Sequence, residues 1–350
     1  MSENSFLKRR WKLLLNILTV AALLVLVYAI RHQLADTIAN LRKVNAWALL
    51  LIIPIEAWNY HAQAKLYQGL FGLVGNKLKY SFLFKASLEL NFINHVFPSG
   101  GVSGISYFGA RMRSDSITGG KATLVQMMKL ILGFISFEVL LVAGLIFMAI
   151  GGRVNELMLL VAGSLSTLMV VGTLGFVFII GSKTRINAFF ITITKILNRI
   201  IQIVRPKHPE TIKTKRVQDL FEELHNNYKV IESQYKKLGA PLWHAFWMNV
   251  TEVLAVYIVF IAFGHWVNLG AVILAYAVAN FAGLISVLPG GVGIYEALMT
   301  AVLAAAGISA GISLPVIVMY RVVNTLIQLP PGYVYYHRTL NADKAAIEHE

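Results

Sequence analysis

The chain has 350 residues, 57% of them hydrophobic and only 14% charged, and its mean hydropathy is positive. Soluble domains of this length carry far more charge, so the composition excludes an ordinary globular enzyme and points to a multi-pass membrane protein. The formal charge of +14 comes from 31 basic and 17 acidic residues; in such a protein it marks cytoplasmic loops rather than nucleic-acid binding, and the absence of cysteine removes disulfide and thiol chemistry.

Lys8, Arg9, Arg10 and Lys12 precede an apolar run from Leu13 to Ile30, with no small-residue cleavage site after it. This reads as an uncleaved first span with its N-terminus inside, completed by an outer loop, so that residues 1–45 form one unit. A second span runs from about Ala46 to Phe71 and carries Glu56, His61, Gln63 and Lys65 in its sequence. Residues 81 to 97 are apolar but shorter than the roughly 20 residues needed to cross, and they hold Glu89, Asn91, Asn94 and His95. They end at Pro98, Ser99, Gly100, Gly101. Arg111, Arg113 and Lys121 follow, so residues 81–111 read as a hairpin that enters from the cytoplasm and returns there.

A third span from about Ala122 to Ile150 contains Lys129 and Glu138, and a fourth from Leu157 to Ile180 has no charge. Residues 182–240 differ in kind, with 12 basic against 5 acidic residues, an excess of seven positive charges. Apolar residues recur there at helical spacing, from Ile186 to Val204 and from Val217 to Leu238, separated by two prolines. A pair of basic amphipathic helices on an anionic leaflet and an ordinary positive-inside linker are the two readings. A fifth span, Leu242 to Phe263, bears Glu252. Residues 271–306 form a second hairpin broken at Pro289, Gly290, Gly291. The last span, about Ile312 to Tyr336, carries Arg321 and ends at Pro330 and Pro331, leaving a polar tail over 337–350.

The two breaks are one motif written twice: Pro98, Gly100, Gly101, Val102, Gly104, Ile105, Tyr107 and Pro289, Gly290, Gly291, Val292, Gly293, Ile294, Tyr295. Paired interruptions in two halves of a membrane protein point to a transport site, because freed backbone groups are tolerated only inside protein or beside a wet cavity. Residues 46–181 and 241–336 then form two repeats of inverted topology. The expected fold is all-α, a polytopic bundle whose two inverted repeats each contain a re-entrant hairpin. Half-helices starting near Gly101 and Gly291 present N–H groups to an anion, for which a lipid phosphate is a natural guest. A lone charge inside a span costs at least about 2.5 to 3.5 kcal/mol, so Lys129, Glu252, Glu296 and Arg321 should face a cavity or a partner. Arg321 and Lys129 are expected to bind phosphate, and Glu296 to pair with Arg321 or with a cationic headgroup.

An Asn-rich helix running into PSGG, a following span with a basic residue, and LPGGVGIYEA followed by Tyr320 and Arg321 together resemble the lysylphosphatidylglycerol synthase transmembrane-region family. The likeness runs from about Leu13 to Tyr336. That family includes inner-membrane proteins and the flippase half of the enzyme that makes and translocates lysyl-phosphatidylglycerol. The resemblance implies a helical bundle with two re-entrant hairpins in the cytoplasmic membrane, leaves a homodimer open, and implies a lipid-headgroup site near the two breaks. The substrate-binding candidates are Asn94, Pro98, Gly100, Gly101, Gly104, Lys129, Glu252, Pro289, Gly290, Gly291, Gly293, Glu296 and Arg321. Two departures stand out: no segment here resembles the soluble aminoacyl-transferase domain, and Lys129 stands where an arginine is expected, which loses bidentate phosphate geometry.

The leading expectation is a transporter that flips a phospholipid, an aminoacylated one included, or a glycolipid headgroup. The alternatives are a membrane transferase on a lipid-linked substrate and a non-catalytic partner that recruits a cytoplasmic lipid-modifying synthase through residues 182–240. No Walker loop, metal cluster or nucleophile constellation is present in the sequence, so no cofactor is expected. His61 and His95 are the only histidines placed within the membrane.

Overall fold

In the computed structural model all the described elements are helical. The structure describes residues 44–97, 102–152, 154–204, 214–285 and 292–348, together with residues 28 and 31. The first span expected from Leu13, and the motif residues Pro98, Gly100, Gly101, Pro289, Gly290 and Gly291, therefore lie outside the described residues. The helices are α1 (Ala46–Leu50), α2 (Ile52–Leu73), α3 (Tyr80–Val96), α4 (Val102–Arg113), α5 (Gly119–Ile150), α6 (Glu156–Ile180), α7 (Lys183–Val204), α8 (Thr214–Ser233), α9 (Gly239–Ala262), α10 (Leu269–Ile285), α11 (Ile294–Ala305) and α12 (Ala310–Glu348). Four stretches among the described residues are long and apolar enough to cross a membrane: Gly119–Ile150, Glu156–Ile180, Tyr235–Ala262 and Ala310–Asn341. The outer faces of α5 and α6 leave Val139, Ile146, Leu160, Val171, Leu174 and Phe178 exposed, as a hydrocarbon solvent requires.

α2 is not among those four, although the sequence reads as a span there. Its polar side chains explain why: Glu56, Asn59 and Gln63 are all buried, because α2 forms the inside of the bundle. It runs antiparallel to α9. The Asn45 N–H donates to Ala262 O (2.9 Å), Asn59 Nδ2 donates to Met248 O (2.9 Å), and a Cβ on Gly69 would lie 2.9 Å from Pro241 Cγ. Around this pair, α3 packs on α12 and α10 packs on α5, while α4 doubles back along α3 and α11 packs on α10. Exchanging α2 with α9, α3 with α10, α4 with α11 and α5 with α12 leaves the set of substantial contacts among these eight helices unchanged.

Between the halves, α7 and α8 pack on each other, with Phe190 and Phe221 stacked at 3.4 Å, and α8 also packs on α5 and α6. Leu224, Tyr228 and Ile231 of α8 are buried in one apolar cluster with Leu70, Leu124 and Ile180, so this stretch of the apolar stripe of α8 faces protein. The helix is fastened by polar contacts as well. Glu223 accepts from Thr118 Oγ1 and from Gly120 N (3.3 Å), which satisfies an N–H at the start of α5, and His225 Nδ1 donates to Ile180 O (2.7 Å) at the end of α6. The last span is expected to end at Pro330 and Pro331; the helix that carries it, α12, continues through Pro315, Pro330 and Pro331 to Glu348. Proline costs a helix one backbone bond, and neighbouring helices re-satisfy the freed groups in a bundle.

Close backbone approach replaces large apolar burial as the packing device where α5 meets α10. A Cβ on Gly270 would sit 2.0 Å from Gly144 O and 2.8 Å from Met148 Cγ. Asn268 reinforces the crossing by accepting from Gly270 N (2.8 Å) and donating to Phe147 O (3.0 Å). Gly270→Ala is expected to destabilise the protein by roughly 1–3 kcal/mol in thermal unfolding in micelles, since α5 and α10 must separate. Gly163→Ala, at a helix position with open space around it, is expected to be neutral or mildly stabilising. Equal effects of the two substitutions would sink the idea that this crossing needs glycine.

Candidate functional site

Polar side chains gather where α2, α3, α9, α11 and α12 meet. α12 supplies a stripe at i, i+4 and i+8: Tyr320, Asn324 and Gln328, of which Tyr320 and Gln328 are almost fully buried. Gln328 Nε2 donates to Glu56 Oε2 on α2 (2.7 Å) and to Asn324 Oδ1 (3.1 Å), and its own Oε1 accepts from Asn91 Nδ2 on α3 (2.7 Å). Asn91 also donates to the Tyr60 hydroxyl. At the other end, Asn324 Nδ2 donates to Tyr320 OH (3.3 Å), and Tyr320 OH donates to Glu252 Oε2 on α9 (3.2 Å). Asn59 Nδ2 closes the ladder onto Glu252 Oε1 (3.3 Å) and Thr251 Oγ1 (2.9 Å). One hydrogen-bonded ladder thus joins the central helices of both halves.

Beside Tyr320 on α12 stands Arg321, and its NH1 pairs with Glu296 Oε1 at 2.8 Å, with both side chains largely buried. The sequence reading offered this pairing as one option, and it is present. Glu296 also takes part in the start of α11: its Oε2 accepts from Gly293 N (2.7 Å), the N–H of the N-cap residue. Gly293 holds φ +90°, a backbone region that side-chain-bearing residues avoid, which lets the chain turn directly into α11. The Arg321 guanidinium lies 5.0 Å from the Tyr295 ring centroid and is close enough to His95, at the end of α3, to act on its charge. Arg321 therefore stands beside the end of the second motif, on the helix that also packs against α3, which runs into the first.

The other candidates are scattered around this centre. Lys129 lies 5.2 Å from the Tyr67 ring centroid and within electrostatic reach of Glu252, not in the Arg321 pair. Asn94 and Gly104 touch: a Cβ on Gly104 would lie 2.0 Å from Asn94 Oδ1, so the glycine makes room for the amide where α4 turns back along α3. Glu252 belongs to the polar ladder. Sequence reasoning mentioned Glu56, Glu89 and Asn91 without assigning them to the site, and it missed Asn59, Tyr60, Asn324 and Gln328. The signal was a polar stripe at helical spacing on otherwise apolar spans, readable on α12 and again on α2.

Another buried carboxylate organises the first hairpin. Glu89, fully buried on α3, accepts from Arg111 Nε (2.9 Å) and Tyr107 OH (2.8 Å) of α4 through Oε2, and from Thr339 Oγ1 of α12 (2.8 Å) through Oε1. The Arg111 guanidinium also lies 4.5 Å from the Phe82 ring centroid. Three helices are locked around one side chain. Among the described residues no group of three or more His, Asp or Glu side chains gathers as a metal site would need.

No solved structure matches the chain. A "UPF0104 membrane protein" from Methanothermobacter thermautotrophicus is 27% identical over 112 residues, which is 31% of this chain and 32% of that protein. The chain thus aligns with about a third of that relative. Residues 13–332 match the family described as lysylphosphatidylglycerol synthase TM region. Both hairpins, the polar ladder and the Arg321–Glu296 pair fall within that span, and the chain is a membrane protein of the lysylphosphatidylglycerol synthase transmembrane-region family.

Proposed function

We propose that this chain carries a lipid headgroup across the cytoplasmic membrane, with its N-terminus on the cytoplasmic side and the headgroup phosphate received by Arg321. The observation that carries this reading is the largely buried Arg321–Glu296 pair, which ties the second motif-bearing hairpin to α12. A guanidinium binds phosphate through two parallel N–H bonds, so an arriving headgroup competes with Glu296 for the same fork. Displaced from Arg321, Glu296 still caps α11 through Gly293, which holds the helix in place during the exchange. The exchange-invariant helix contacts support two inverted repeats. The lengths of α3 and α10, 17 residues or about 25 Å each against a hydrocarbon core of about 30 Å, support re-entrant hairpins.

The insert contributes a different surface. While α8 faces protein, α7 keeps Phe189 and Ile196 exposed together with Arg185, Lys195 and Arg199, which supports contact with an anionic leaflet. The test is lipid movement in proteoliposomes holding the purified protein, with headgroup-labelled anionic, zwitterionic and aminoacylated lipids. Movement that Arg321→Lys slows and Arg321→Gln abolishes is the expected result. Absence of movement for every lipid, with a lipid-modifying synthase retained through purification, would replace transport by recruitment.

A further inference from the structure

We infer that Glu56 and Glu252 form a proton-binding site that joins the two halves of the bundle. Glu56 is 2% exposed; Gln328 donates to its Oε2, while Oε1 is buried with no hydrogen-bond partner. Glu252, from the antiparallel helix α9, is close enough to repel it electrostatically. An ionised carboxylate with a bare oxygen inside a low-dielectric bundle is strongly disfavoured, and a second carboxylate beside it makes double ionisation worse. A carboxylic O–H on Glu56 removes both difficulties.

The surroundings favour a proton over a countercharge from the protein. The donors to the two carboxylates are neutral: the Gln328 amide for Glu56, and the Tyr320 hydroxyl, the Asn59 amide and the neighbouring Tyr276 for Glu252. The facing ionisable groups are Tyr60 on α2, His95 on α3, Lys129 on α5, Tyr276 on α10, Tyr295 and Glu296 on α11, and Tyr320 and Arg321 on α12. Of the cations, Arg321 is paired with Glu296, and Lys129 stands over Tyr67 and acts on Glu252 from a distance. No group of three or more His, Asp or Glu side chains gathers among the described residues to hold a metal ion there. A proton needs only the one free oxygen that Glu56 offers.

The site is wired to α12. Gln328 reads Glu56, Tyr320 reads Glu252, and Arg321, next in sequence to Tyr320, holds Glu296. Gain or loss of a proton changes how strongly Glu56 and Glu252 accept from Gln328 and Tyr320, and so biases the helix that presents the headgroup site. This coupling rests on the lipid-moving reading, whereas proton binding itself does not.

The two are tested separately. Infrared difference spectra of the purified protein, stepped from acid to alkaline pH, are expected to show a protonated-carboxyl C=O band that shifts in heavy water and is lost in Glu56→Gln. Lack of the band, or its persistence unchanged in both Glu56→Gln and Glu252→Gln, overturns the proposal. Should Glu56→Gln fail to fold, Gln328→Leu is expected to move the band upward by removing the donor to Glu56, and an unmoved band counts against it. In proteoliposomes a pH gradient is expected to change the lipid rate several-fold, and a response to Na⁺ in place of H⁺ overturns the assignment. Band present with no lipid movement upholds the proton site and removes the transport reading; lipid movement with neither band nor pH response does the reverse.

Discussion

Arg321→Ala is expected to destabilise the protein by roughly 3–5 kcal/mol and to abolish lipid movement. The energetic part follows from what the substitution leaves behind: Glu296, 4% exposed, loses the guanidinium 2.8 Å away and becomes a buried charge without its ionic partner. Removing both charges is different in kind. The double variant Arg321→Gln with Glu296→Gln keeps polar side chains of similar reach, and glutamine retains the capping-box geometry at Gly293. It is therefore expected to recover most of the lost stability in thermal unfolding, yet to move no lipid, since a neutral amide cannot hold a phosphate as a guanidinium does. If the double variant transports at the parental rate, Arg321 is a structural partner of Glu296 and the headgroup binds elsewhere.

Arg111→Ala is expected to cost a similar amount, again roughly 3–5 kcal/mol, for the same physical reason at the other hairpin. Glu89 is fully buried and draws its ionic compensation from Arg111, with Tyr107 and Thr339 adding neutral hydrogen bonds. Thr339→Val, which removes one of those bonds, is expected to cost about 1 kcal/mol. The exposed pair Lys183–Glu222, at 2.7 Å but with side chains 51% and 55% accessible, is the control: Lys183→Ala is expected to leave stability nearly unchanged, because solvent screens the pair. Thermal unfolding of the three variants in one detergent measures all of this. An Arg111→Ala effect no larger than that of Lys183→Ala would show that Glu89 does not need its cation.

These two carboxylates mark the border of what the chain shows in one dimension. Arg321 and Glu296 stood out because charges are rare in apolar spans and because both follow a conspicuous motif. Glu89 and Glu56 carry the same charge but sit in segments with several other polar residues, where nothing local distinguishes a buried side chain from a wetted one. The fate of Asn324 and Gln328 was legible only as spacing. That stripe says which face of α12 is polar, and it does not say that Glu56, 272 positions away in sequence, is what it meets. The partners of the first N–H groups at α5 and α11, Glu223 and Glu296, arrive by packing or by a local turn that hydropathy does not encode.

By itself the sequence determined the membrane solvent, the helical class, the position of the two breaks and the basic insert. Each of these follows from local hydropathy, charge and the backbone limits of proline and glycine, which act within a few residues. Tertiary structure decided that α2 lies inside the bundle and that α8 faces protein. It also decided that α12 runs on past its prolines, and that polar groups from both halves close into one ladder. Those outcomes depend on which helix faces meet. In an apolar solvent, that choice is made by close backbone approach at residues such as Gly270 and by the need of buried polar groups for partners, most of which only the packed bundle supplies.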